Sequence, residues 1–201
     1  MSLELIKSTA EQLSLVLVEN FSMLKTALPE NPFYAIALVV TDDFSNVDAY
    51  ANTTEYIEGE GDSALSKWYW GEWESGAFGL ECDFLEEVLG EVGDFDDETA
   101  DGNAVVWLTT MTEGMRLARQ QGAFDWKKKA PTIFCSMQDH DAAVWLEDIS
   151  AKYLNSKEAY ESAVPEIQAA SAEWYSRKTG ESTFAVRDGY LSMLKQLEAV
   201  G

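Results

Sequence analysis

A chain of 201 residues is long enough for one domain with a substantial hydrophobic core, or at most for two small ones. Hydrophobic residues make up 46% of the sequence and aromatic residues 12%, so a folded protein is expected despite the net charge of −22. That charge disfavours binding to nucleic acid and to anionic lipid, because both are themselves negatively charged.

The beginning of the chain predicts a long amphipathic helix. Apolar side chains recur every three or four residues over residues 3–28, and Pro29 and Pro32 end the pattern. This start lacks the basic region and the cleavage site of a signal peptide, and no run of about 18 apolar residues occurs in the sequence. We therefore expect no membrane span and a cytoplasmic location.

A β-hairpin is predicted next. Residues 33–41 form an unbroken, partly β-branched apolar run, which indicates a buried strand. Turn-forming residues follow at 42–46, and apolar and polar residues then alternate over 47–52. The two runs together predict a hairpin over residues 33–52.

Three tryptophans, Trp68, Trp70 and Trp73, lie around the end of a helix predicted over residues 55–70. They are too close together in sequence for all of them to share one helix face. In one interpretation two of them fill the core and the third covers a junction between the helix and a loop. In the other, one of them lies at the centre of a protein interface, where tryptophan is enriched. An extended link is predicted over residues 75–80.

Two helices flank the most acidic part of the chain. Asp83 can cap a helix over residues 84–92, and a second helix is predicted over 104–121, ended by Gly122. The intervening residues 93–103 are predicted to form a loop or the entry to a helix on the surface. The inner face of the first helix is expected to carry Phe84, Leu85, Val88, Leu89 and Val92.

The last third of the chain predicts one strand and several helices. The apolar run at 132–137 indicates the strand, and a helix is predicted over 142–154. Another helical stretch starts near Ser156, and its proline is expected to restart a separate helix over 165–178. The final helix is predicted over 184–197.

Together these elements predict an α+β fold. The hairpin 33–52 and the strand 132–137 form a small antiparallel or mixed sheet, surrounded by about six helices. The sequence contains no internal repeat and no linker rich in proline or serine, so we expect a single domain over residues 1–201.

Negative charge is concentrated in one part of the sequence. Residues 42–101 contain nineteen aspartates and glutamates and a single base, Lys67, so this acidic block carries −18 of the total charge of −22. General acidity, as found in many bacterial proteins, explains the sign of the charge but explains its one-sided placement less well. Such a field attracts basic protein surfaces.

No catalytic signature stands out in the sequence, and carboxylates are so abundant that a pair of them does not by itself indicate a catalytic site. His140 is the single histidine, and although Asp139 and Asp141 flank it as in a general base, a loop histidine near a helix cap explains it better. Cys82 and Cys135 form no CxxC motif and fall in apolar segments, so free buried thiols are expected, with a disulfide between them as the alternative. We predict no catalytic residue.

No cofactor or metal site is predicted either. Phosphate-binding glycine motifs are absent, and the basic triplet 127–129 is most simply a solvated turn. Asp94, Asp96 and Glu98 alternate as the first ligands of a calcium loop do. However, the glycine after the third ligand and the glutamate at the twelfth position of such a loop are missing.

Several landmarks identify a resemblance to a known family. The segments FYAIALVVTDD, VDAYANT, KWYWGEWE and APTIFCSMQDHD together resemble a bacterial family of domains of unknown function. The resemblance covers most of residues 1–155 and implies no enzymatic residues. In size and acidity, members of this family are similar to the immunity proteins that accompany bacterial toxins.

These observations favour a protein-binding function. We predict an immunity-like or antitoxin-like protein whose acidic surface occludes a basic partner such as a toxin nuclease. The expected contact residues are the acids Glu72, Glu74, Asp94, Asp96, Asp97, Glu98 and Asp101, with Trp70 or Trp73 as an apolar anchor. The alternatives are an acidic housekeeping domain without a fixed partner and, last, a metal-dependent hydrolase that uses His140 and nearby acids.

Overall fold

The computed structural model describes most of the chain. The described residues are 3–27, 33–53, 67–73, 77–80, 82–90, 92, 100–126, 130–138, 142–175 and 184–200. The helix predicted over 55–70 falls almost entirely outside them.

Six α-helices and four β-strands make up the described part of the chain. The helices are α1 (Leu3–Ala27), α2 (Asp83–Leu89), α3 (Ala100–Gln120), α4 (Ala142–Leu154), α5 (Lys157–Tyr175) and α6 (Phe184–Val200). The strands are β1 (Phe33–Val40), β2 (Val47–Thr53), β3 (Ala77–Gly79) and β4 (Thr132–Met137). The predicted α+β class is confirmed. None of the described helices is long and apolar enough to cross a membrane.

The strands form one mixed sheet in the order β3-β2-β1-β4. Strands β1 and β2 pair antiparallel as the predicted hairpin, with Val40 opposite Val47. Strand β4 pairs with β1 in parallel, which is possible because a long crossover separates the two in sequence. Strand β3 adds a short antiparallel edge beside β2, within the segment 75–80 that the sequence predicted as an extended link.

Helices cover both faces of the sheet, because its central strand β1 is apolar on both sides. On one face Ile36 and Leu38 join a large core with helices α1, α3 and α6. On the other face Ala35 and Ala37 join a second core with the tryptophan cluster and helix α5. Gly114 permits the close approach of α3 to α1, since a Cβ there would lie 2.8 Å from a side-chain carbon of Leu13.

The outer edge of β4 is completed by side chains of helix α4 and the residue after it. Asn155 accepts a hydrogen bond from the Ile133 N–H (3.0 Å) and donates one to the Ile133 carbonyl (2.7 Å). Ser150 does the same for Cys135, at 2.8 and 3.2 Å. These side chains replace a neighbouring strand, so the edge presents no free ladder of backbone groups at these positions.

Helix α2 differs from its prediction at both ends. It ends at Leu89 rather than at residue 92, because Gly90 adopts a φ of +76° that leaves the helical region. The N-cap position belongs to Cys82, and Asp83 is the first helical residue. The prediction that Val88 lies on the inner face is wrong, because its side chain is 39% exposed and the buried face is formed by Leu85 and Leu89.

Two other helix boundaries are also corrected. Helix α3 begins at Ala100, one turn before the predicted start at residue 104, because the buried Ala104 and Trp107 fix it in place despite the weak helix formers that precede them. Helix α5 runs without a break through Pro165, where the sequence predicted a restart. Ala163 and Ile167 are buried in the same core on either side of the proline, and this packing keeps the helix continuous.

Candidate functional site

The acidic block begins in the turn of the hairpin, and the turn is tightly organised. Asp43 Oδ1 accepts hydrogen bonds from Thr41 Oγ1 (2.7 Å), from the Ser45 N–H (3.0 Å) and from Ser45 Oγ (2.6 Å). These bonds, the one from the Ser45 side chain above all, lower the pKa of Asp43 from 3.8 to about 2. Asp43 therefore holds the turn together and stays negatively charged at any physiological pH.

Phe44 fastens this turn to the body of the protein. It adopts a φ of +59°, a region that costs a bulky residue energy, yet its side chain is only 2% exposed. Its ring lies 5.7 Å from that of Trp107 on helix α3 in an edge-on arrangement. The burial of the ring offsets the strain, and the hairpin turn that carries Asp42 and Asp43 is thereby attached to helix α3.

The end of helix α2 is also attached to Trp107, the residue that the Phe44 ring contacts. The Trp107 indole N–H donates to the Gly90 carbonyl at 3.0 Å, and the Gly90 N–H donates to the Glu86 carbonyl at 2.9 Å. Glu86 and Glu87 therefore lie on the helical turn next to the residue that Trp107 contacts, and both are exposed. The hairpin turn, the end of α2 and the first half of α3 meet at one end of the sheet, which we call the acidic end.

The acidic end gathers several members of the acidic block. The members whose side chains the structure describes there are Asp42, Asp43, Asp48, Glu86 and Glu87, each exposed or half-exposed. Lys67, the single base of the block, lies instead beside Tyr34 at the start of β1. From Tyr34 to Asp42 the chain runs about 25 Å along the sheet at roughly 3.3 Å per residue, about three Debye lengths at physiological salt. Lys67 therefore does not neutralise the acidic end.

The acids predicted from sequence as contact residues lie largely outside the described residues. Asp94, Asp96, Asp97, Glu98 and Glu74 fall outside them. For Glu72 and Asp101 the structure describes the backbone only: the first lies in a short 3-10 turn, Trp70–Glu72, and the second in the first turn of α3. Their role in binding stays a prediction. The acids of the hairpin turn and of α2 were part of the acidic block but were not singled out in the sequence.

The three tryptophans of the cluster are all buried. Trp68, Trp70 and Trp73 are 3%, 7% and 5% exposed and pack on the second face of the sheet, where the Trp73 ring lies 6.1 Å from that of Phe134. The packing interpretation expected two of them in the core. Internal packing thus accounts for Trp70 and Trp73, and their assignment as interface anchors stays a prediction.

A buried hydrogen-bond chain links one of these tryptophans to an acid. The Trp70 indole N–H donates to Ser136 Oγ (3.1 Å), and the Ser136 hydroxyl donates to Glu147 Oε1 (2.6 Å). Glu147 is 4% exposed, and burial of a carboxylate is tolerated only where such donors are present. The sequence did not predict that Ser136 and Glu147 are buried, because a single polar residue in a strand or an amphipathic helix is normally expected on the exposed face.

The residues considered for catalysis or metal binding divide into two groups. His140, Asp139, Asp141, the calcium-like acids and the triplet 127–129 lie outside the described residues. Cys82 and Cys135 are both buried and both free, as predicted. Among the residues that the structure describes, no cluster of three or more histidines, cysteines or acids is placed to hold a metal ion.

Comparison with known proteins identifies the family of this chain. A family model described as a domain of unknown function, DUF4303, matches residues 14–156. These residues contain the whole sheet, the acidic block and the side chains that complete the edge of β4. No curated protein and no solved structure matches the chain. Because the family model covers more than half of the chain, the protein belongs to the DUF4303 family.

Proposed function

We propose that this protein is an acidic protein-binding module that neutralises a basic partner by covering its functional surface. By analogy with toxin-immunity proteins, the partner is a basic toxin, for example a nuclease whose own substrate is negatively charged. The observation that carries the proposal is the gathering of exposed acids at the acidic end, within a block that carries −18 of the net charge of −22.

The way in which the acids are held supports a docking role. Asp43 is fixed by three hydrogen bonds, and Phe44 anchors the turn in the core, so the charges beside them are presented in a defined arrangement. A rigid charged surface loses little conformational entropy on binding. It also accelerates encounter with a partner of opposite charge, by roughly tenfold to a thousandfold at low salt.

Self-repulsion within the block is the cost of this arrangement. Two unit charges about 8 Å apart in water repel by roughly 0.5 kcal/mol, and nineteen acids against one base multiply such terms. A cationic partner removes this repulsion on binding. The proposed contact surface consists of Asp42, Asp48, Glu86 and Glu87 together with the predicted Glu72, Glu74, Asp94, Asp96, Asp97, Glu98 and Asp101.

The test is capture of the protein encoded by the neighbouring gene, with the two proteins co-expressed. We expect a complex at low salt that weakens strongly as the salt concentration rises. If the neighbour arrests growth when expressed alone, co-expression of this protein should restore growth. The complex would show binding, and the rescue would show neutralisation.

Charge-reversal variants decide whether the acidic block carries the binding. One variant reverses Asp42, Glu86 and Glu87 to lysine, and a second reverses the predicted acids at 94, 96 and 97. Asp43 is left intact because it holds the hairpin turn. The matched control reverses three exposed acids outside the acidic block to lysine, namely Glu11 of helix α1 and Glu158 and Glu161 of helix α5. Binding that is absent, insensitive to salt, or weakened equally by the control would refute the proposal.

A further inference from the structure

Trp107 is the residue at which the parts of the acidic end meet. It lies in the first half of helix α3, is only 2% exposed and is among the largest buried side chains of the protein. Its indole contacts the hairpin turn through Phe44 and the end of helix α2 through Gly90. One side chain of α3 therefore joins two acid-bearing elements that are far apart in the sequence.

The two contacts of Trp107 differ in kind. The contact with Phe44 is apolar, with the ring centroids 5.7 Å apart and the ring planes at 65°. The contact with Gly90 is a hydrogen bond of 3.0 Å from the indole N–H to the carbonyl oxygen. Apolar burial is non-directional, whereas a hydrogen bond constrains both a distance and an angle. The indole nitrogen is therefore the part of Trp107 that fixes where helix α2 ends.

The bond to Gly90 acts on the acids of helix α2. Gly90 adopts a φ of +76°, and its N–H donates to the Glu86 carbonyl at 2.9 Å, so it closes the last turn of the helix. Glu86 and Glu87 lie in that turn and are exposed. After Gly90 the chain enters the segment 91–99, which contains four of the predicted contact acids. Trp107 thus holds both the turn with Glu86 and Glu87 and the point from which this segment starts.

We propose that Trp107 is a positioning residue of the docking surface. Its indole holds the hairpin turn and helix α2 in one fixed arrangement, so that the acids of both contact the partner together. This inference rests on the proposed function, because it concerns the same surface and the same basic partner. Trp107 is buried and uncharged, so it acts only through the elements that it joins. Without the indole N–H the acids stay exposed, but their arrangement is no longer fixed, and ordering them then opposes binding.

The first experiment measures the arrangement of the acidic end without a partner. Spin labels at Asp42→Cys and Glu87→Cys report the distance between the hairpin turn and helix α2 by double electron–electron resonance. The natural cysteines, Cys82 and Cys135, are buried and stay unlabelled in the folded protein. A fixed arrangement predicts a narrow distribution of distances between the two labels.

Two tryptophan variants then assign the arrangement to Trp107. Trp107→Phe keeps an aromatic ring next to Phe44 but removes the donor to Gly90, so the distribution of distances should broaden. The control Trp68→Phe makes the same change in the core on the other face of the sheet. Trp68 is 3% exposed, and its indole N–H also donates a hydrogen bond, to Glu166 at 2.9 Å. The control should leave the distribution unchanged.

Binding of the protein encoded by the neighbouring gene tests the consequence. Trp107→Phe changes no charge, so the association rate should keep the salt dependence of the natural protein. Dissociation should instead become about tenfold faster, because the bound arrangement is no longer held in advance. Trp68→Phe should change neither rate. This combination separates a positioning role from an effect of charge and from a general loss of stability.

A second variant tests the same contact from the side of the turn. Phe44→Leu keeps a buried apolar side chain but removes the ring that packs on Trp107, and it should also broaden the distribution. An unchanged distribution in both variants, with folding verified by circular dichroism, or equal broadening in Trp68→Phe, would overturn the proposal. Unchanged dissociation despite a broadened distribution would overturn it too. A natural protein that captures no partner would refute the proposed function, and the distance measurement would still decide the role of Trp107.

Discussion

Replacement of Phe44 tests how the acidic end is attached to the fold. The side chain of Phe44 is only 2% exposed and packs against Trp107, and its backbone has a φ of +59°. Removal of a buried phenylalanine ring costs about 3–5 kcal/mol. For a chain of this length, each kcal/mol corresponds to roughly 2–4 °C, so Phe44→Ala should lower the melting temperature by about 10 °C.

The backbone conformation makes a second and sharper prediction about the same residue. A residue with a Cβ at positive φ is strained by about 1–2 kcal/mol, and glycine is not. Phe44→Gly should therefore be more stable than Phe44→Ala by about 1 kcal/mol, although both variants lose the same ring. Urea unfolding followed by far-ultraviolet circular dichroism measures the difference.

The control is Met23, which is 60% exposed in helix α1. There the order should be reversed, with Met23→Gly less stable than Met23→Ala by about 1 kcal/mol, because glycine is a poor helix former. If Phe44→Gly proved less stable than Phe44→Ala, the left-handed conformation would be absent. If both Phe44 variants lost less than about 1 kcal/mol, the ring would not be the anchor of the turn.

Three further predictions concern other parts of the molecule. Asn155→Ala should lower the free energy of unfolding in urea by about 3 kcal/mol, because it leaves the N–H and the carbonyl of Ile133 in β4 without their hydrogen-bond partner. The control Asn20→Ala removes one hydrogen bond within helix α1 and should lower it by less than about 1 kcal/mol. Because the pKa of Asp43 is lower in the folded protein, ionised Asp43 adds to the free energy of unfolding above pH 3.8, and this stabilisation is lost as the pH falls towards 2. NMR titration should give a pKa near 2 for Asp43, and Ser45→Ala should raise it. Burial raises the pKa of the Cys135 thiol to about 12, so a thiol reagent at about pH 8 should label Cys135 only after the protein unfolds. Rapid labelling of Cys135 in the folded protein would contradict its burial.

The sequence predicted the parts of the fold that depend on local pattern. The hairpin and the strand at 132–137 follow from apolar runs bounded by turn residues or proline, and the structure confirms both. The edge strand β3 was missed because three residues, Ala77–Gly79, are too few to show an alternating pattern. Helix α5 was divided in the prediction because a proline normally ends a helix, and only tertiary packing shows that Pro165 does not.

The candidate site was predictable as a charge distribution but not as a surface. The count of acids over residues 42–101 requires no structure. The contact of Phe44 with Trp107 brings the hairpin turn next to helix α2. Because the two residues are more than sixty positions apart in the sequence, the spacing of neighbouring residues does not predict this contact. The same holds for Lys67 and Glu166, which meet only because α5 packs across the starts of the strands.

The rate of association with the basic partner tests the central claim most directly. The rate constant for binding to the neighbouring gene product should be measured by stopped flow over a range of salt concentrations, for the natural protein and for the variant with Asp42, Glu86 and Glu87 reversed. The proposed function predicts a rate that falls by at least about tenfold between low and physiological salt, and a slower, less salt-dependent rate for the variant. A rate that is the same for both proteins and indifferent to salt would contradict it.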